Sequence, residues 1–111
     1  MRRSFRLPRG KELELVFRRG RRFYNSLFQV ALRQNDLSHS RFVLVVPRSA
    51  DKRAVVRNRL RRRIREYVRT RPAFLSQPLD AAITCKKEAA RASRAEFYEA
   101  LEEILTRVFR S

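Results

Sequence analysis

Residues 52–71, KRAVVRNRLRRRIREYVRTR, set Lys52, Arg53, Arg57, Arg59, Arg61, Arg62, Arg63, Arg65, Arg69 and Arg71 against a single acid, Glu66. A guanidinium is a rigid fork that pairs with phosphate through two hydrogen bonds and also stacks on bases. The chemistry on offer is therefore polyanion binding, driven by release of counterions as phosphates are neutralised. An ordinary solvated helix face mixes signs, because i,i+4 ion pairs offset repulsion; here Glu66 stands nearly alone. Uniform arginine with one amide, Asn58, suits backbone and shape recognition of structured RNA better than base reading in a DNA groove. A membrane-surface helix is a further use of such a stretch, but strands on either side need its apolar residues for their own core.

Groups for covalent or acid–base chemistry are sparse. His39 is the sole histidine and sits in a polar loop beside Ser38 and Ser40. Cys85 is the sole cysteine, so no internal disulfide forms, which fits a reducing cytoplasm. One Cys with one His cannot fill a tetrahedral zinc site. Asp36, Asp51, Glu66 and Asp80 are scattered, with no acid pair placed to hold two metal ions. Neither Gly10 nor Gly20 belongs to a phosphate-cradling glycine loop. The chain is expected to contribute no catalytic and no metal-ligating residue.

The arginines need a scaffold, and the same stretch supplies it. Val56, Leu60, Ile64, Tyr67 and Val68 recur at helical spacing, which predicts one α-helix with a single apolar stripe. Asn58, Arg62, Arg65 and Arg69 fall opposite that stripe, Arg59 and Arg61 on its shoulders, and Arg57 and Arg63 along its edge. Asp51 is expected to cap the helix, and Pro72 to end it.

Before this helix, residues 1–7 read as a basic arm and 11–19 as a helix opened by Pro8 and Gly10, with Gly20 at its C-terminal cap. Residues 27–33 alternate and read as a strand, with a short extra strand near 23–25. The run FVLVV at 42–46 predicts a central buried strand, ended by Pro47. After the arginine helix, 71–78 reads as a long connection and 80–86 as a strand. Ser93 and Glu96 form a capping box for a last helix over 93–109, whose Glu96, Glu99, Glu102 and Glu103 make an acidic face that a polyanion should avoid. Leu13, Phe17, Tyr24 and Phe28 read as core, with a base-stacking platform as the functional alternative.

At 111 residues, 43% of them hydrophobic, this is one α+β domain over 1–111 with a modest core. The net charge of +17 strains the compact state by self-repulsion that a bound polyanion relieves. No stretch approaches the ~20 apolar residues of a membrane span. The N-terminus lacks the apolar segment of a secretory signal.

Ala54-Val55-Val56-Arg57-Asn58-Arg59-Leu60-Arg61-Arg62, entered from a β-branched strand, resembles the RNR motif of the bacterial ribonuclease P protein component. RLPRGKELELVFRRGRRFYNSLFQVAL resembles that family's first helix and following strand, and DAAITCKKEAA its final strand and the lead into its last helix. The resemblance implies a small α/β sandwich of αβββαβα order, with a left-handed βαβ crossover against the general right-handed rule. It implies a protein subunit that helps a catalytic RNA cut the 5′ leader from precursor tRNA, with Mg²⁺ held mainly through that RNA and one protein per RNA.

By the same resemblance, Arg57, Asn58, Arg59, Arg61, Arg62 and Arg65 contact the catalytic RNA, with Lys52, Arg53 and Arg69 extending that surface. Leu13, Phe17, Gln29 and Ala31, with Arg48 and Lys86, match a cleft for the single-stranded leader. The chain departs from the family where Leu13 and Ala31 replace common aromatics. It also departs in the run Pro47-Arg48-Ser49-Ala50-Asp51-Lys52 before the helix, and at Glu88, where a proline is common. The alternative function is a structural RNA-binding protein of ribosomal type. A protein-only nuclease is a more distant one.

Overall fold

Period-two alternation sorts the strands into two faces, and the helices follow from that sorting. A computed structural model describes residues 5–110, so Met1 to Ser4 of the expected arm lie outside the described residues. The strands are β1 (Arg21–Tyr24), β2 (Phe28–Gln34), β3 (Arg41–Val45) and β4 (Leu79–Cys85). They form one sheet in the order β1-β2-β4-β3, with β3 parallel to β4 and the other pairs antiparallel. Phe28, Val30, Leu32, Phe42, Ala81, Ile83 and Cys85 face one side. There they meet α2 (Ala54–Arg69) and α5 (Arg94–Arg110), the two long helices. On the other side, α1 (Lys11–Arg19) lays Leu13 and Val16 over Ala31, Val43 and Ala82. Two short helices, α3 (Pro72–Leu75) and α4 (Lys87–Arg91), fill connections that read as loop.

The run at 42–46 is an edge strand and not a central one; the interior strands are β2 and β4. A parallel strand covered on both faces reads as a continuous apolar run wherever it sits in the sheet, so the pattern cannot report its neighbours. The open edge of β3 is partly closed by the expected arm. Arg6 bridges Phe42, the Leu7 N–H donates to the Phe42 carbonyl at 2.8 Å, and the Leu7 side chain is buried. The arm is thus tied down by residue 6. In the interior strand β4, Ala81 and Ala82 are small enough for helices to press on both faces.

Helix boundaries show where local signals held. The capping box forms as spaced: Glu96 N–H donates to Ser93 Oγ at 3.1 Å and Ser93 N–H to Glu96 Oε1 at 2.9 Å. Asp51 does not cap α2. The N-cap is Arg53, without a side-chain cap, and Asp51 Oδ1 instead accepts the Arg53 N–H at 2.9 Å in the turn before the helix. Pro72 lies two residues beyond the Thr70 cap and starts α3 as its first residue, where a missing N–H costs nothing. Gly20 does follow α1, but its φ of −72° is ordinary. It is glycine because a Cβ would sit 2.3 Å from the Val16 carbonyl oxygen and 2.7 Å from that of Leu32. The close approach lets α1 turn straight into the sheet.

Cys85 is buried in β4, and burial pushes its thiol up to about 12, only slightly countered by Arg61. The neutral thiol should resist alkylation at pH 8 in the native protein and react once the chain is unfolded. Because the folded value lies above the unfolded one, stability should fall as pH rises from about 9 to 12. Denaturant melts across that range test this, with Cys85→Ala expected to flatten the dependence.

Candidate nucleic-acid interface

The stripe Val56, Leu60, Ile64, Tyr67 and Val68 is buried along the whole of α2, so the opposite side must face outward. Sixteen residues span about 24 Å. Arg59 and Arg62 are exposed, Arg65 is half-buried, and none of the three has an acidic partner among the described residues. Lys52 is likewise exposed and unpaired in the turn before the helix.

The remaining predicted cations are already engaged within the chain. Arg57 folds back to donate to the carbonyls of Asp51 and Lys52 at 3.0 and 2.8 Å, bracing the turn that enters α2. Arg61 donates to Asn58 Oδ1 at 2.7 Å and lies 3.5 Å from the Val46 carbonyl, which orients both side chains along the same ridge. Arg53 pairs with Asp51; its side-chain and backbone hydrogen bonds hold that carboxyl down at about 2. Arg69 pairs with Glu66 and lowers it as well. These are exposed pairs of small energetic weight, readily exchanged for phosphate. The two acids nearest the arginines thus have partners, and the exposed helix surface keeps a large positive excess.

A second feature lies at the carboxyl ends of the parallel strands, where α2 also begins. Strand register lines up Tyr24, Gln29, Thr84 and Val45 in one row across all four strands. The row shares its face with α1, whose Leu13 and Val16 cover the next row, Ala31, Ala82 and Val43. Gln29, Thr84 and Val45 remain half-exposed and Tyr24 is 51% exposed. Phe17, like Val45, is partly buried against the cluster that α1 forms with this face. The Arg22 guanidinium lies 5.9 Å from the Phe17 ring centre and donates to the Phe17 carbonyl. Arg48 is exposed in the turn after β3, and Lys86, at the exit of β4, donates to the Asn25 carbonyl at 2.8 Å.

Of the residues expected to line a cleft, Phe17, Gln29, Arg48 and Lys86 are at or near the surface at this end. Leu13 (9% exposed) and Ala31 (1%) are not surface lining, because α1 and β2 close on each other there. Tyr24, read as core with a stacking platform as the alternative, is exposed and not core. The row members Thr84 and Val45 were missed, since strand pairing selects them and no local pattern does. Asn25 was missed too. Its Oδ1 accepts the Leu27 and Phe28 N–H groups at 3.0 and 2.8 Å, and its Nδ2 donates to the Ala100 carbonyl and Glu103 Oε1 at 2.9 and 3.0 Å. It fixes the β1–β2 turn, α5 and Lys86 together. An Asn three residues before a strand start is an Asx-turn signal that the sequence did carry.

A family model described as Ribonuclease P matches residues 1–108. The chain is 36% identical over 109 residues to the ribonuclease P protein component of Chromobacterium violaceum, covering 98% of this chain and 89% of that one. It is 32% identical over 108 residues to that of Aliivibrio fischeri, covering 97% and 92%. Among solved structures, the RNase P protein from Thermotoga maritima superposes with a TM-score of 0.81 at 28% identity, covering 96% of each chain. The Staphylococcus aureus RNase P protein shares the fold, with a TM-score of 0.86 at 21% identity over 94% of each chain.

Proposed function

The chain belongs to the bacterial ribonuclease P protein family, and on that premise we propose that α2 docks it on a catalytic RNA that removes the 5′ leader from precursor tRNA. The supporting observation is the pairing of two surfaces at one end of the sheet. Unpaired arginines run outward along α2, and the uncovered row Tyr24–Gln29–Thr84–Val45 lies at the end where α2 starts. Arginine on phosphate lowers the repulsion between two RNAs brought together, and supplies charge without needing any sequence. The open row, rimmed by Phe17, Arg48 and Lys86, is shaped for a single strand: ring faces for bases and cations for backbone.

No three His, Cys, Asp or Glu side chains gather into a metal site among the described residues. In this proposal Mg²⁺ is held mainly by phosphates of the catalytic RNA, which carries the reaction, with the protein positioning and screening. One protein per RNA in the cytoplasm completes the proposal. Among the described residues, no helix is long and apolar enough to cross a membrane.

Cleavage of a precursor tRNA by a bacterial catalytic RNA at low Mg²⁺, with and without this protein, is the test. Rescue of cleavage is expected only when both are present. A ribosomal-type RNA binder would not rescue it, and a protein-only nuclease would cut with the RNA omitted.

Stacking in the leader row gives a second expectation. Tyr24 exposes its ring, whereas Phe17 is half-buried with Arg22 over it. Tyr24→Leu should weaken precursor tRNA binding by about 1–3 kcal/mol if one base stacks there, and Phe17→Leu by less. Affinity for mature tRNA and thermal stability should hardly change. Equal losses on both substrates, or a loss that tracks unfolding, would return these rings to a structural role.

A further inference from the structure

The acidic helix α5 begins with a cation. Arg94 is exposed in its first turn and faces α2 across a groove of ≈ 300 Å³ lined by Arg59, Arg62, Arg63, Glu66, Arg94 and Tyr98. Two of its guanidinium groups are held by rings. Arg63 lies 5.4 Å from the Phe97 ring centre and Arg94 5.5 Å from that of Tyr98. Such contacts fix long side chains in place and lower the ordering cost of a further ligand. The one acid in the groove, Glu66, is already ion-paired with Arg69 on its far side. Four cations therefore converge on a concave site with their repulsion unrelieved. None of the carboxylates of α5 lines it. Glu96 is bound in the Ser93 cap, while Glu99 and Glu102 line the adjoining groove with Tyr67, Thr70 and Arg71.

We infer that the groove between α2 and α5, walled by Arg59, Arg62, Arg63 and Arg94 with Tyr98 beside them, binds a backbone phosphate of the RNA partner. The interface then extends from α2 onto the first turn of α5, where Glu96 is taken up by the Ser93 cap, and stops at Tyr98, beyond which Glu99 and Glu102 line the adjoining groove. This rests on the reading of the chain as a ribonuclease P protein and deepens it by adding a contact from a second helix.

The experiment measures binding of the full chain to an in vitro transcribed bacterial ribonuclease P RNA over a range of KCl concentrations. Arg94→Ala should reduce the slope of log affinity against log salt by ~0.7–0.9, the share of one phosphate contact, and Arg94→Lys should restore it. Arg107→Ala removes the same charge from the same helix, but Arg107 is paired with Glu103 far from the groove, so its slope should match the wild type. An unchanged slope in a folded Arg94→Ala protein overturns the inference and leaves the α2 interface standing. Equal losses from Arg94→Ala and Arg107→Ala overturn it as well, since net charge alone would then explain both. No salt-dependent binding by the wild type would sink the parent reading first.

Discussion

Replacing Arg59, Arg62 and Arg65 together with alanine is expected to reduce the salt slope of RNA binding by about 2–3, the loss of three phosphate contacts at ~0.7–0.9 each. At low salt that amounts to a large fall in affinity, and the gap between mutant and wild type should narrow as salt rises. The structure selects these three because they point off the buried stripe and have no acidic partner. Arg57 and Arg61 make a poorer choice. Arg57 holds the carbonyls of Asp51 and Lys52 before α2 and Arg61 that of Val46 after β3, so their loss would mix docking with local structure. The triple variant should melt at or above the wild-type temperature, because it sheds like charges from a chain of net charge +17. A folded triple variant with an unchanged slope would move the RNA surface away from α2.

Ile64→Ala should do the reverse. Ile64 is fully buried in the middle of the stripe that fixes α2 to the sheet and α5. Removing its side-chain bulk leaves a cavity where backbone and neighbours relax only in part, at a cost of ~2–5 kcal/mol. For a small domain of marginal stability that is a large share of the total. Denaturant titration reads the cost directly. With the protein kept folded at low temperature, the salt slope should equal the wild type, since no phosphate contact is lost. Unchanged stability together with a lost slope would mean that the two faces of α2 had been exchanged.

The two substitutions rest on information of different kinds. The faces of α2 were legible because helix geometry is local: every third or fourth residue returns to one side whatever the surroundings, and Val56, Leu60 and Ile64 obey it. The Ser93–Glu96 box and the extent of α1 were legible for the same reason. Where readings failed, either a competing local contact or a distant residue had decided the matter. Asp51 reached the Arg53 N–H before it could cap α2, and the 42–46 run lies at an edge because β4, about forty residues later, inserts between β3 and β2. Gly20 was placed correctly for the wrong cause, since the carbonyls that exclude a Cβ include one from β2.

The candidate site divides along the same line. By itself the sequence determined that the chain carries an arginine surface on an amphipathic helix and that this surface suits RNA. Its arginine motif also named the family. Only the tertiary structure decided which arginines stand free and which are tied to carbonyls and acids. It also withdrew Leu13 and Ala31 into the core, aligned Tyr24 with Gln29, Thr84 and Val45, and brought Arg94 against α2. Periodicity assigns a side chain to a face. Register and helix docking, which depend on pairings between residues far apart in the chain, decide what else shares that face and whether it is covered.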